Sequence, residues 1–207
     1  MERIYADNAA TTRMSKAAIA AMLPYLEENY GNPSSLHTIG QEAAEALFKA
    51  RQTVAECIGA DPREIYFTSG GSESDNQALL SAAESGARRG RKHIISQKTE
   101  HHAILHSLKR LEKMGFEVTL LDVDGDGYVT AEDVRAAMRP DTCLVTIMAA
   151  NNEIGTVMPI KEIAAVCREA GVVFHTDAVQ AAGHIPLDVK EIGCVMLSIS
   201  AHKFHGP

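Results

Sequence analysis

Short apolar runs rich in β-branched and aromatic residues recur along the chain from residue 65 onward. The segments between them carry apolar residues at helical spacing, and several end near a glycine, such as Gly86, Gly115 and Gly171. Buried strands that alternate with helices predict a mostly parallel sheet covered by helices on both faces, a three-layer α/β/α arrangement. Six runs have the length of such strands: 65–68, 93–96, 118–121, 144–148, 172–175 and 195–199.

The pattern before residue 65 predicts two helices. One follows a possible Ser15 cap, and a longer one carries apolar positions from Ala43 to Cys57 and ends at Gly59. The chain shows no repeat, linker or low-complexity segment. We therefore predict one α/β domain over residues 16–207, preceded by a separate N-terminal segment, residues 1–15.

Polar and glycine residues follow the strand runs. Gly71 and Ser72 stand in a turn that opens a helix after the first run, where free backbone N–H groups suit a phosphate, although many turns of this composition bind nothing. Ser200, His202 and Lys203 follow the sixth run. Because open α/β sheets bind ligands beyond the carboxyl ends of their strands, both groups are candidates for one site.

Three other runs are followed by groups that could serve the same site. His101 comes after the second run, Asn152 after the fourth, and Asp177 and Gln180 after the fifth. Taken singly, these residues suit a solvated helix start, a turn and a helix cap. Chemically compatible groups after five separate runs favour a shared ligand.

The segment from Ser200 to Pro207, read together with residues 176–180, resembles the lysine segment of pyridoxal-phosphate enzymes of the aminotransferase class V family, and within it the cysteine desulfurases. The resemblance covers residues 1–207 and implies the large domain of a fold type I pyridoxal-phosphate-dependent transferase. It also implies roughly as much sequence again, so we expect a truncated domain whose residues 1–15 pack with a smaller, missing domain.

The resemblance assigns roles around the cofactor ring. Lys203 would bind pyridoxal 5'-phosphate covalently, and His101 would stack on the ring and act in acid–base steps. Asp177 would keep the pyridine nitrogen protonated, as an electron-sink cofactor requires, while Gln180 would donate to the phenolic oxygen. Asn152 would lie beside the cofactor hydroxyl and the substrate.

The resemblance also assigns the phosphate contacts and the reaction. Gly71, Ser72, Ser200 and His202 would hold the phosphate. The full-length enzyme would convert L-cysteine to L-alanine and pass the sulfur on as a persulfide for iron–sulfur cluster or thio-cofactor assembly. We expect a homodimer that meets a sulfur-acceptor or scaffold protein. Other class V aminotransferases, a selenocysteine lyase and a folded fragment without cofactor remain as alternatives.

The cysteines limit what this chain alone can do. Cys57, Cys143, Cys167 and Cys194 are widely spaced in apolar stretches with no C-x-x-C pair, which predicts buried thiols of a cytoplasmic protein. None matches the family's persulfide cysteine, so we expect the 207-residue chain to be inactive by itself. The formal charge of −7 and the lack of an apolar run of about 20 residues argue against nucleic-acid and membrane partners.

Two patterns suggest a metal, and neither is complete. The segment from Asp122 to Asp133 begins like an EF-hand calcium loop but ends in Asp where the bidentate Glu is needed, and it follows a predicted strand. Thr130 is better interpreted as a helix cap. His102 and His106 have zinc-ligand spacing without a third ligand. We expect no metal site.

Overall fold

The computed structural model describes residues 3–207, which form two compact units. The first comprises the chain up to Phe67 together with Ala201–Pro207, and the second is Thr68–Ser200. The expected division into residues 1–15 and 16–207 stays a prediction. No helix of the described residues is long and apolar enough to cross a membrane.

In the first unit, the two predicted helices are confirmed. Helix α1 spans Lys16–Glu27, and the Ser15 hydroxyl caps it by accepting from the Ala18 N–H at 3.0 Å. Helix α2 spans Thr38–Ile58 and ends at Gly59, whose φ of 70° suits glycine. A 3₁₀ turn, Pro62–Glu64, follows.

The strand predicted at residues 65–68 is wrong. This run is irregular, and the Ile65 carbonyl accepts a hydrogen bond from the Arg51 guanidinium. A strand is stabilised by backbone bonds to a neighbour, and β-branched composition alone cannot supply them.

The segment around Lys203 is tied to the N-terminal residues of the same unit. The Thr12 N–H donates to the His202 carbonyl at 2.8 Å, and the Ser15 N–H donates to the His205 carbonyl at 3.0 Å. These bonds hold residues 12–15 against the Lys203 segment within the first unit. Whether residues 1–15 also pack with a further domain stays a prediction.

The second unit contains a five-stranded parallel sheet in the order β2-β1-β3-β4-β5, so five of the six predicted strands are confirmed. The strands are β1 His93–Gln97, β2 Glu117–Leu121, β3 Thr142–Thr146, β4 Val173–Asp177 and β5 Met196–Ser198. The helices are α3 Gly71–Ala87, α4 His102–Lys113, α5 Ala131–Ala137, α6 Ile160–Glu169 and α7 Val189–Ile192.

Helices cover both faces of this sheet. Ile94 and Leu144 pack against α3 and α4, whereas their chain neighbours Ile95 and Val145 pack against α5 and α6. Consecutive strand residues thus fill two different cores, as buried parallel strands require. The predicted three-layer α/β/α class is confirmed, and the carboxyl ends of the strands lie at one edge, where the loops of this unit carry His101, Asn152, Asp177, Gln180 and Ser200.

Candidate active site

The N-terminus of α3 meets the loops that follow β4 and β5. A Cβ atom on Gly71 would lie 2.9 Å from Val179 Cγ2 and 3.5 Å from Ser200 Cβ. Ser72, next on the helix, is exposed, and no side chain caps α3 at Gly70. The first-turn N–H groups of α3 and the Ser200 hydroxyl therefore form a cradle of the kind that binds phosphate.

We predict that Gly71→Ala weakens cofactor binding. Its Cβ must displace the stiff Val179 side chain, an overpacking cost of roughly 1–3 kcal/mol, or about fivefold to 150-fold in affinity if the strain falls on the cradle. Titration of the full-length protein with pyridoxal 5'-phosphate measures the change. Gly125→Ala is the matched control, because a Cβ there meets nothing within 4 Å. Equal affinities for the two variants would contradict the role of Gly71.

Asp177 is the last residue of β4, and its side chain is 5% exposed. It stands in register with Ser198 of β5, and its Oδ1 accepts from the Val179 N–H at 2.9 Å. This bond closes a turn that places the Val179 side chain against Gly71 at the start of α3. Gln180, the next residue, is partly buried. The structure thus places a buried carboxylate at the edge that also holds the phosphate cradle.

His101 and Asn152 lie on two loops that are bonded to each other. Glu100 Oε1 accepts from the Met148 N–H at 2.6 Å, and Asn151 Nδ2 donates to the Thr99 carbonyl at 2.9 Å. His101 caps α4 through Nδ1, which accepts from the Ala103 N–H at 3.2 Å, so the outer ring nitrogen carries the proton. Both His101 and Asn152 are exposed and accessible to a ligand.

Lys203 and His202 belong to the first unit, in the 3₁₀ turn Ala201–Lys203. Lys203 Nζ donates to the carbonyls of Ala9 and Ala10 at 2.6 and 2.8 Å. His202 Nδ1 lies 3.0 Å from the Thr11 hydroxyl, and partial burial together with the Lys203 charge lowers the pKa of His202. Reaction at Lys203 requires its amine to leave these carbonyls and lose a proton.

Sequence reasoning missed a buried polar group beneath this edge. Asp75 of α3 is 1% exposed, and Glu100 is 4% exposed. Burial raises the pKa of both carboxyl groups, and the charge of Asp177 raises them further. Asp75 had a sequence signal, because it shares a helix face with Leu79, Ala82 and Ala83; a charged residue on an apolar stripe is worth explaining.

The four cysteines are free thiols, and they are not all buried as predicted. Cys143 and Cys167 are buried, Cys194 is partly buried, and Cys57 is exposed. Cys57 follows the apolar spacing of α2, but that helix buries only Gly40 and Ala55 among its residues.

We predict that the segment from Asp122 to Asp133 binds no calcium at useful affinity. Asp122 pairs with Lys98, and Asp124 Oδ1 accepts from the N–H groups of Asp126 and Tyr128 at 2.9 and 2.8 Å. Asp133 forms the predicted capping box with Thr130, and strand β2 precedes the segment. No three His, Cys, Asp or Glu side chains within residues 3–207 could hold a metal ion.

Calcium titration by calorimetry checks this prediction, with a sensor EF-hand protein as the positive control. Binding in the micromolar range that Asp124→Ala abolishes would show that the loop is a calcium site after all.

The phosphate cradle, the buried Asp177 and the accessible His101 ring fit pyridoxal 5'-phosphate, and the fold is that of the large domain of fold type I pyridoxal-phosphate-dependent transferases. The model of the aminotransferase class-V family matches residues 4–207, and the chain belongs to that family. Its relatives, the cysteine desulfurases, depend on this cofactor.

Curated relatives of similar sequence are cysteine desulfurases. The cysteine desulfurase IscS of Methanosarcina thermophila is 52% identical over 204 residues, which are 99% of this chain and 50% of that protein. The IscS of Dictyoglomus turgidum is also 52% identical, over 99% of this chain and 52% of its own length. The chain thus spans about half the length of the curated relatives it matches.

Solved structures of related proteins have the same fold as this chain. A structure described as SspA in complex with cysteine has a TM-score of 0.95 at 39% identity. The match covers 99% of this chain and 59% of that protein's chain. A NifS-like protein has a TM-score of 0.95 at 41% identity, covering 100% and 57%. The roles of the individual site residues stay predictions.

Proposed function

We propose that the full-length protein is a cysteine desulfurase that converts L-cysteine to L-alanine. The observation that carries this proposal is the meeting of α3, the Asp177 turn and Ser200 at one edge of the sheet, where Gly71 lets the N-terminus of α3 pack closely against Val179 and Ser200. A buried carboxylate next to an anion cradle suits a ligand that is phosphorylated at one end and cationic in its ring. The sequence relatives named above support cysteine as the substrate.

Each side chain then has a defined task. The α3 N–H groups, Ser72 and Ser200 bind the phosphate, and His202 contributes a further donor. Asp177 holds the ring nitrogen protonated. Bound pyridoxal phosphate supplies an electron sink for the negative charge that develops on the substrate α-carbon.

The remaining groups orient the substrate and move protons. His101 would stack on the cofactor ring and move a proton through its outer nitrogen, and Asn152 and Gln180 would bind the ring oxygen. Lys203 would provide the amine for covalent attachment and for proton transfer at the substrate α-carbon.

We also propose where the sulfur goes and where the protein works. The sulfur is accepted as a persulfide by a cysteine outside residues 1–207 and is passed to a scaffold or acceptor protein for iron–sulfur cluster or thio-cofactor assembly. The enzyme works in the cytoplasm as a homodimer. The absence of a paired cysteine among the four thiols is compatible with a reducing compartment.

The test is to incubate the full-length protein with pyridoxal 5'-phosphate and L-cysteine and to measure alanine and sulfide in equal amounts. L-selenocysteine is assayed in parallel. Strong preference for selenocysteine would replace the proposal with a selenocysteine lyase, and transamination without sulfide would replace it with another class V aminotransferase. A protein without cofactor absorbance would be a fold that has lost the chemistry.

A further inference from the structure

A chain of hydrogen bonds runs through the interior beneath the candidate site. The Thr146 hydroxyl lies 2.9 Å from His175 Nδ1, and His175 Nε2 lies 3.0 Å from the Ser198 hydroxyl. That hydroxyl is in turn 2.8 Å from the Ser74 hydroxyl of α3. The chain joins β3, β4, β5 and α3. Three of these elements, β4, β5 and α3, lead directly to the Asp177 turn, Ser200 and the phosphate cradle.

Asp75 stands beside this chain. Its carboxyl group is 1% exposed, and Oδ1 has no hydrogen-bond partner among the described residues. His175 Nε2 is the near nitrogen, but at 3.7 Å it is beyond hydrogen-bonding distance. Both nitrogens of the His175 ring already face hydroxyl groups.

The titratable groups that face Asp75 offer it no positive charge. From β4 come His175 and Asp177, and from the loop after β1 comes Glu100. Full burial lowers the pKa of His175 to about 3, so its ring is neutral at physiological pH. The other two groups are carboxyls. A second ionised carboxylate in such a pocket would be buried without compensation.

We propose that Asp75 is a positioning residue that forms a buried carboxyl pair with Asp177, in which Asp75 keeps its proton and Asp177 alone presents a negative charge to the ligand. The geometry makes Asp177 the ionised member, because it accepts the Val179 N–H. Burial, followed by the Asp177 charge, raises the pKa of Asp75 to about 8, with a smaller opposing effect of the Ser198 hydroxyl. This proposal builds on the cofactor site of the proposed function.

The pair has a consequence for stability. The pKa of the Asp75 carboxyl is about 8 in the folded protein, against an ordinary value of 3.8. Because the folded state holds this proton more tightly than the unfolded chain does, the protonated carboxyl contributes its full stability below the ordinary pKa. This contribution is lost as the pH rises through the folded pKa. Asp75→Asn, a neutral residue of the same shape, removes this loss. We expect the variant to lose less thermal stability than the wild type between pH 6 and pH 9.

The deciding experiment follows aspartate carboxyl carbons by NMR in the full-length protein, labelled with ¹³C-aspartate and measured before and after adding pyridoxal 5'-phosphate. We expect one signal of the cofactor-free protein to titrate near pH 8. It should be absent in Asp75→Asn and present in the control Asp126→Asn, which changes an exposed aspartate of the same unit. A signal of Asp75 that titrates near its ordinary value overturns the proposal.

A second variant keeps the proposal testable if Asp75→Asn does not fold. Asp177→Asn removes the neighbouring charge, so the Asp75 titration must move to lower pH; an unmoved midpoint overturns the pair. A merely structural Asp75 would not give this coupling. If the wild-type protein binds no pyridoxal phosphate, the proposed function fails, and the titration without cofactor still decides on the carboxyl pair.

Discussion

Lys203→Ala should abolish covalent attachment of pyridoxal phosphate and lower the turnover of L-cysteine by about 10⁴-fold, the scale of losing both an attachment residue and a proton-transfer group. The amine is held at a defined place by the 3₁₀ turn Ala201–Lys203 and by the carbonyls of Ala9 and Ala10. Alanine at position 203 has no amine to bind the cofactor, and any other lysine would have to reach the cofactor from a different backbone position.

Borohydride reduction of the full-length protein with bound cofactor, followed by peptide mapping, measures attachment directly. The label should lie on Lys203 and disappear in the variant. Lys109→Ala, on the exposed side of α4, is the control and should keep both label and turnover. A pyridoxyl group on any lysine other than Lys203 would refute the assignment.

The sheet could be predicted from sequence because its determinants are local. Five runs of β-branched residues, bounded by turn residues and separated by helical spacing, indicate buried parallel strands wherever they occur. The location of four candidate ligands also follows from a local rule, since His101, Asn152, Asp177 and Ser200 all come after strands.

Features that depend on distant partners could not be predicted. Residues 65–68 have strand composition, yet no strand pairs with them in the described residues. Helix α3 ends one residue after Gly86, as the sequence predicts, but Gly86 lacks the positive φ of a cap, and an added Cβ there would be 2.3 Å from Cys143 Cβ. Its function is close packing, whereas Gly115, after the end of α4, has the positive φ of a helix terminator.

The buried carboxyl groups of the candidate site also depend on distant partners that the sequence does not reveal. The sequence around Glu100 suggests an exposed helix start, and the apolar stripe that contains Asp75 marks this residue as unusual without showing what it faces. Only the fold shows that both face inward towards Asp177, where a charge is costly. The identity of a ligand residue can be predicted from its place after a strand, while its protonation depends on neighbours from several elements.

Asp177→Asn should retain the fold and lose most of the activity. The asparagine oxygen can still accept the Val179 N–H, so the turn at the end of β4 persists. The amide carries no charge to hold the proton of the cofactor ring. At about 4 Å and an effective dielectric constant of about 20, that interaction is worth roughly 4 kcal/mol, or about three pKa units, and turnover should fall by about 10³-fold.

Three measurements on the full-length variant separate the effect of the charge from that of the structure. Circular dichroism should match the wild type, whereas turnover and the pH dependence of the cofactor absorbance should both change. Asp126→Asn, an exposed aspartate of the same unit, should behave like the wild type in all three. Near-normal turnover with unchanged cofactor spectra would mean that the ring nitrogen does not need Asp177, and the carboxylate at the end of β4 would then be only the cap of its turn.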